Sequence, residues 1–251
     1  KKSKRYDLTC AHLLKDKNEL EKEILKTVLP NDFKIVLTGG GRVANGVVEI
    51  LDILGIHNIT KSDFLHKKFN HPTYVQLYPS DYNERIDGKS FSKKNFYNHP
   101  HKYKSTLLKY VNCSNILITG HYYGSGSPTL LTKKDFANSL LKLEVVGDIS
   151  CDIDGPIGCT IRPSTIKQPI YGYNRITELE DDYSKANVVS VMAVDNLPCS
   201  LPRDASVHFG NVFIDKILPD LLNGRSIISQ GTITLNGQLS DKFNYLTDYV
   251  S

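Results

Sequence analysis

The sequence predicts an α/β fold: a Rossmann-type parallel sheet with helices on both faces, plus an insertion and a C-terminal hairpin and helix tail. Three observations predict it. Short apolar runs rich in β-branched residues, KIVLT (34–38), NILIT (115–119), LEVVGDIS (143–150) and NVVSVMAV (187–194), read as strands buried on both faces. Stretches with helical periodicity alternate with these runs, as in sheets built from parallel crossovers. Three consecutive glycines in TGGGRVANG (38–46) join the first run to the first of those helices.

Residues 1–16 are basic and irregular. KNELEKEILKTVLP repeats Leu20, Ile24 and Val28 every four residues, which predicts a helix stopped by Pro30. After KIVLT, residues 42–54 place Val43, Val47, Ile50, Leu51 and Leu54 on one helical face, and Gly55 ends it. HNIT (57–60) reads as a second short strand. Residues 66–110 are polar and rich in Tyr, Lys, Asn and Pro, so they read as an insertion holding short helices. Residues 132–141 follow as a helix with Thr132 as N-cap. Residues 151–175 are rich in Pro, Gly and Thr and read as a functional loop. Residues 201–224 are mainly helix, with Pro202 in the first turn and Gly224 past the end. GTITLNGQLS (231–240) predicts a hairpin about Asn236-Gly237, and a tail helix carries Phe243, Leu246 and Tyr249. The expected organisation is a lead-in (1–33), a dinucleotide-binding domain (34–224, insertion about 66–110) and a C-terminal tail (225–251).

Composition narrows the function classes. A net charge of +4 is mild, with Lys gathered near the N-terminus and around Lys89–Lys109, and a dedicated nucleic-acid binder concentrates more. The Tyr- and Lys-rich insertion therefore reads as a solvated interface, and a homo-oligomer is compatible with it. No apolar run approaches the roughly 20 residues of a membrane span. The five cysteines, Cys10, Cys113, Cys151, Cys159 and Cys199, form no C-x-x-C pair, and reduced thiols in a cytoplasmic protein are expected. The eight histidines, His99 and His101 included, lack zinc-type spacing, so no metal is expected. The chain opens on Lys1, without a Met, which suggests a piece of something longer.

Gly39, Gly41 and Ala44 satisfy G-x-G-x-x-G/A between a strand and a helix, the context a dinucleotide fingerprint requires. Gly39 permits the turn, and Gly41 lets a pyrophosphate approach the backbone. Ala44 and Gly46 let the helix pack on the sheet. Arg42 and Val43 lie in the helix's first turn, whose free N–H groups and dipole favour phosphate. No Gly-Lys-Ser/Thr follows, which excludes a triphosphate P-loop. Asp63, about 20 residues on, is the expected ribose-binding acid and favours NAD. Lys61, Lys67 and Lys68 crowd it, so NADP stays open. Tyr122 and His121 follow NILIT, where a loop would pass over the cofactor. Tyr122 is expected to contact the nicotinamide side.

Four segments resemble the nucleotide-binding half of the alanine dehydrogenase and saccharopine dehydrogenase superfamily: TGGGRVANG, GDISCDIDGPI (147–157), VMAVDNLPCSLPRDAS (191–206) and GTITLNGQLSDKFNYL (231–246). The AVDNLPCSLPRDAS stretch is nearer the lysine-forming saccharopine dehydrogenases and lysine–ketoglutarate reductases than the alanine dehydrogenases. The resemblance implies an NAD(P)-dependent oxidoreductase acting on a CH–NH bond, with an amino acid or 2-oxo acid as substrate. The parent reaction it suggests is saccharopine, NAD and water giving lysine, 2-oxoglutarate and NADH. It matches Asp152 to an active-site aspartate that positions substrate or water, and Val194, Asp195, Asn196 and Leu197 to the lining of the nicotinamide and its ribose. Asp148 would lie close by, and Arg203 suits either a carboxylate clamp or a structural ion pair. It also implies an absent N-terminal substrate domain, which carries the family's catalytic lysine and histidine and against which the tail would pack. An alanine dehydrogenase-like enzyme and a non-catalytic NAD-binding domain remain alternatives.

Overall fold

The computed structural model describes residues 8–124, 126–223 and 226–250. They form two compact units, 1–200 and 201–251. The sequence reading drew its boundary after Gly224, which lies outside the described residues.

The first unit begins with α1 (Lys17–Ile24), capped by Asp16, whose side chain accepts from the Glu19 backbone N–H. This helix ends six residues before Pro30. Lys26 and Thr27 already bond in tighter turns to Glu23 and Ile24, and Val28, expected on the buried stripe, is exposed. The chain then runs through β1 (Lys34–Thr38), α2 (Arg42–Ile53), β2 (His57–Asn58), α3 (Lys61–His66), β3 (Thr73–Leu77) and α4 (Pro79–Tyr82). A small hairpin of β4 (Asn83–Arg85) and β5 (Tyr103–Ser105) flanks α5 (Lys93–Asn98). There follow α6 (Leu108–Val111), β6 (Ile116–Thr119), α7 (Lys133–Phe136), β7 (Val145–Asp148), β8 (Tyr171–Asn174), β9 (Glu180–Asp181) and β10 (Val188–Met192).

Eight of these strands make one sheet in the order β2-β3-β1-β6-β7-β10-β8-β9. The first six run parallel, while at one edge β8 pairs antiparallel with β10 and β9 pairs antiparallel with β8. Successive residues of a strand face opposite ways, and the core divides accordingly. Ile35 packs with Leu51 of α2, Ile56 and Tyr74. Val36 packs with Val75, Leu117 and Val146, and with Phe64, Tyr110 and Phe136 from the helices of the other face. Helices thus cover both faces, as the α/β reading expects.

Three further elements differ from the sequence reading. TYVQL, assigned to the insertion, is β3 and pairs directly with β1, so the inserted region begins only at Tyr78. Its Tyr, Thr and Gln hid it from an apolarity criterion, yet Thr73, Tyr74 and Val75 are buried. Residues 132–141 hold only the short α7, although Thr132 caps it in a reciprocal box with Asp135, as expected. The loop after β7 ends in β8, an antiparallel strand that the loop reading missed.

The second unit contains α8 (Pro202–Val212), which continues through a wider turn (Phe213–Ile217) into α9 (Leu218–Asn223). α10 (Ser226–Gly231) leads into the hairpin of β11 (Thr234–Leu235) and β12 (Gln238–Leu239). Asn236 and Gly237 both have positive φ, 52° and 78°, as a tight two-residue hairpin turn demands. A 3-10 segment (Asp241–Tyr249) follows.

Candidate functional site

Parallel pairing brings the C-terminal ends of adjacent strands into one row. Leu77, Thr38, Thr119 and Asp148 are in register across β3, β1, β6 and β7, and β10 lies beside β7. The residues just past this row belong to loops at a single edge, where ligands of open α/β sheets bind.

At the centre is the glycine turn. Gly39 has φ +102°, donates its N–H to the Leu77 carbonyl (2.8 Å) and accepts from Gln76 Nε2 (3.0 Å). A Cβ there would sit 2.4 Å from the Gly120 carbonyl oxygen, so this turn and the end of β6 pack backbone to backbone. A Cβ on Gly40 would come within 2.3 Å of Tyr78 Cε1, because the Tyr78 ring lies on the turn. Gly41 differs from both. It caps α2 with no side-chain acceptor, and a Cβ there meets nothing within 4 Å. The space beside the N-terminus of α2 is therefore open at Gly41, and the first N–H groups of a helix, which have no intrahelical partner, are the donor set that a diphosphate requires. Ala44 is fully buried against Gly120, as its packing role demands, whereas Gly46 is exposed and closes no contact.

The turn opens into a cleft of about 910 Å³. Arg42 and Val43 line it on one side, and Tyr122, Tyr123, Ser127, Pro128 and Leu130 on another. The third wall comes from the segment after β3 and includes Tyr78, Asn83, Phe91, Lys93 and Tyr97. Tyr122 is 82% exposed at the rim. His121 also lines the cleft; its Nδ1 lies 2.6 Å from Thr38 Oγ1, while Nε2 is buried without a partner. Burial pushes the His121 imidazole down to about 4, against a smaller opposing pull from Asp148. It is therefore neutral at physiological pH and contributes no cation.

Asp63 is not among the cleft's lining residues. It lies in the first turn of α3, where Thr60 Oγ1 caps its N–H, and its carboxylate pairs with Lys67 at 3.0 Å. The strand beside β1 is β3, so the position that follows the neighbouring strand is held by Tyr78. The nearest acid there, Asp81, is committed to the Tyr78 N–H (2.9 Å) and to Lys61 (2.6 Å).

The resemblance-matched acids sit further along the same edge, outside the cleft's lining. Asp148 is fully buried and accepts from Ser150 Oγ (2.6 Å), Thr160 Oγ1 (2.6 Å), the Cys151 N–H (3.2 Å) and the Thr119 hydroxyl. It ties the 149–160 loop to the sheet. Asp152 is half-buried in that loop, and burial, reinforced by Asp148, raises its carboxyl above the ordinary range. Past β10, Val194 is buried and bridges to Ser164, while Asp195 and Asn196 are exposed and Leu197 starts a 3-10 turn. Because β7 and β10 are neighbours, these two loops lie side by side. Arg203 belongs to α8 in the second unit. Among the described residues, no group of three or more His, Cys, Asp or Glu could hold a metal ion. Sequence reasoning missed Asn83, Lys93 and the aromatic wall; the signal was the Thr-Tyr-Val run of β3, which fixes where that wall begins.

No family model matches the chain. The alpha-aminoadipic semialdehyde synthase of mouse, a mitochondrial protein by its name, is 26% identical over 261 aligned positions, covering 88% of this chain and 27% of the mouse protein. The alpha-aminoadipic semialdehyde synthase of Arabidopsis thaliana is 27% identical over 237 positions, covering 84% of this chain and 22% of its own length. The chain thus spans about a quarter of the length of the curated relatives it matches. At low identity over most of its length, the chain is similar to the alpha-aminoadipic semialdehyde synthases.

Proposed function

We propose that the chain is the nicotinamide-dinucleotide-binding portion of an amino-acid oxidoreductase that acts on a CH–NH bond. The observation that carries this reading is the glycine turn: an uncapped helix N-terminus at Gly41, open to a large cleft at the carboxyl edge of a parallel sheet. The dinucleotide would accept or deliver hydride at the substrate carbon. The chain's residues do the rest. The first N–H groups of α2 bind the diphosphate, and Arg42 adds positive charge beside it. Asp152, with its raised carboxyl, holds or moves a proton at the substrate nitrogen or an attacking water. Asp195 and the Asn196 amide orient the nicotinamide ribose through its hydroxyls.

The substrate class proposed is an amino acid paired with a 2-oxo acid, with the saccharopine-to-lysine reaction as the first candidate. Five cysteines without a C-x-x-C pair suit a reducing compartment, and the printed names of the animal relatives make the mitochondrion a candidate beside the cytosol. One observation bears on the choice of cofactor. Among the described lining residues of the cleft none is Asp or Glu, while Arg42 and Lys93 are cationic. Nothing there repels a 2′-phosphate, so the site accepts NADP(H) at least as well as NAD(H). Titration of the chain with both reduced cofactors tests this: tighter binding of NADH by tenfold or more would refute it. An Asp152→Asn variant of the intact protein that kept full turnover would favour a binding domain without catalysis.

A further inference from the structure

Two acids lie just past the sheet row at β7, and they are held in opposite ways. Asp148 is fully buried, and its two oxygens take opposite ends of the loop that follows. Oδ1 accepts from the Thr119 hydroxyl at the end of β6, from Ser150 Oγ (2.6 Å) and from the Cys151 N–H (3.2 Å). Oδ2 accepts from Thr160 Oγ1 (2.6 Å), at the far end of the loop. No described residue donates a hydrogen bond to the Asp152 carboxylate, so its place depends on the backbone that carries it.

That backbone is not relaxed. Cys151 and Asp154, on either side of Asp152, both have φ 52°. This left-handed region is uncommon for residues other than glycine, and such residues persist where their surroundings over-determine them. The chain also folds back on Asp152. The Gly155 N–H donates to the Asp152 carbonyl (3.0 Å), and a Cβ on Gly155 would lie 2.6 Å from Asp152 Cβ. Beyond the turn the loop is bolted down: Ile157 is fully buried, and the Gly158 N–H donates to the Leu131 carbonyl (2.7 Å). Before the turn, the main tethers are Asp148 and the Cys151 thiol, which donates to the Ala193 carbonyl (3.0 Å). Burial, reinforced by the Asp152 charge, raises the Tyr123 phenol, and Tyr123 lines the cleft. Asp152 thus stands within electrostatic reach of the cleft wall.

We propose that Asp148 is the positioning residue of the acid loop: one oxygen clamps residues 150–151, the other clamps Thr160, and together they fix the strained turn that presents Asp152. This rests on the catalytic reading of Asp152 given above. Asp148→Ala strands several donors at once, so the test uses Thr160→Val and Ser150→Ala. Each releases one end of the loop and keeps the Asp148 carboxylate, and Thr160→Ser serves as the rescue. Burial and Asp148 hold the Asp152 carboxyl above the ordinary range. Carboxyl-detected NMR of the chain should show it falling back toward that range in both variants, as water reaches the loop. Amide hydrogen exchange at residues 151–155 should rise about tenfold. In the intact protein, kcat should fall about tenfold at an unchanged KM for the dinucleotide, and Thr160→Ser should keep the wild-type value. A group that only buttresses the fold would lower the melting temperature and leave the Asp152 titration in place. Variants that keep the wild-type Asp152 titration and loop exchange therefore overturn the proposal, whatever their turnover, and leave the catalytic reading standing. Full turnover in Asp152→Asn overturns the catalytic reading and the proposal with it.

Discussion

Gly41→Asp separates the fold from the function at one position. A Cβ at Gly41 meets nothing within 4 Å, and the residue has φ −93° and ψ −168°, extended backbone that aspartate adopts without strain. It is the N-cap of α2 and lacks a side-chain acceptor, so an aspartate there would cap orphaned N–H groups. The gain over glycine is a few tenths of a kcal/mol, with a favourable charge–dipole contribution of about 0.3–1 kcal/mol. For a domain of this size that predicts a melting temperature raised by about 1–4 °C. The same carboxylate occupies the place proposed for the diphosphate. Two unit charges at about 4 Å and an effective dielectric near 20 repel by about 4 kcal/mol. Exposure and salt reduce this to about 3 kcal/mol, roughly a hundredfold in affinity. Thermal melts read the first effect and calorimetric titration with NADPH the second. A variant that melts as predicted yet binds dinucleotide like the wild type would refute the placement of the diphosphate.

Other outcomes follow from the same geometry. Gly40→Ala puts a methyl against the Tyr78 ring and should cost about 1 kcal/mol of stability. The cost should vanish in a Tyr78→Ala background, and a double-mutant cycle without coupling would contradict the packing. Asp148→Ala strands several buried donors and should destabilise by about 3 kcal/mol, read as a fall in denaturant midpoint at constant m. Asp152 has a folded pKa above its unfolded value, so its contribution is fully present below the unfolded pKa and is lost as pH rises through the folded one. Asp152→Asn should therefore melt no lower than the wild type at pH 7, and the difference should close in acid; turnover of the intact protein should fall. For His121 the sign is reversed. Its folded pKa near 4 lies below the unfolded value, so stability present above about pH 6.5 is lost as pH falls toward 4. An NMR titration should show its ring neutral at pH 6.

The sheet was legible where strands are apolar throughout: KIVLT, NILIT, EVVGD and VVSVM declare themselves because both faces are covered. β3 was not, because its polar residues are buried against neighbouring elements that the sequence order does not reveal. The expectation of Asp63 at the ribose rests on the same reading of the strand order. Counting about 20 residues from the glycine turn presumes that the next strand in sequence lies next in space. Here HNIT goes to the sheet edge, and TYVQL, which comes later, takes the place beside β1. The glycine turn needed no such assumption, since its strand, turn and helix are contiguous. The aromatic wall depends on long-range packing of a segment without periodicity, and the sequence alone could not assemble it.

The central claim is that the cleft at the glycine turn binds a nicotinamide dinucleotide. Calorimetric titration of the folded 251-residue chain with NADPH and NADH tests it most directly. One saturable site per chain, weakened about a hundredfold by Gly41→Asp, is the predicted result. A chain that melts cooperatively yet takes up neither cofactor would contradict it.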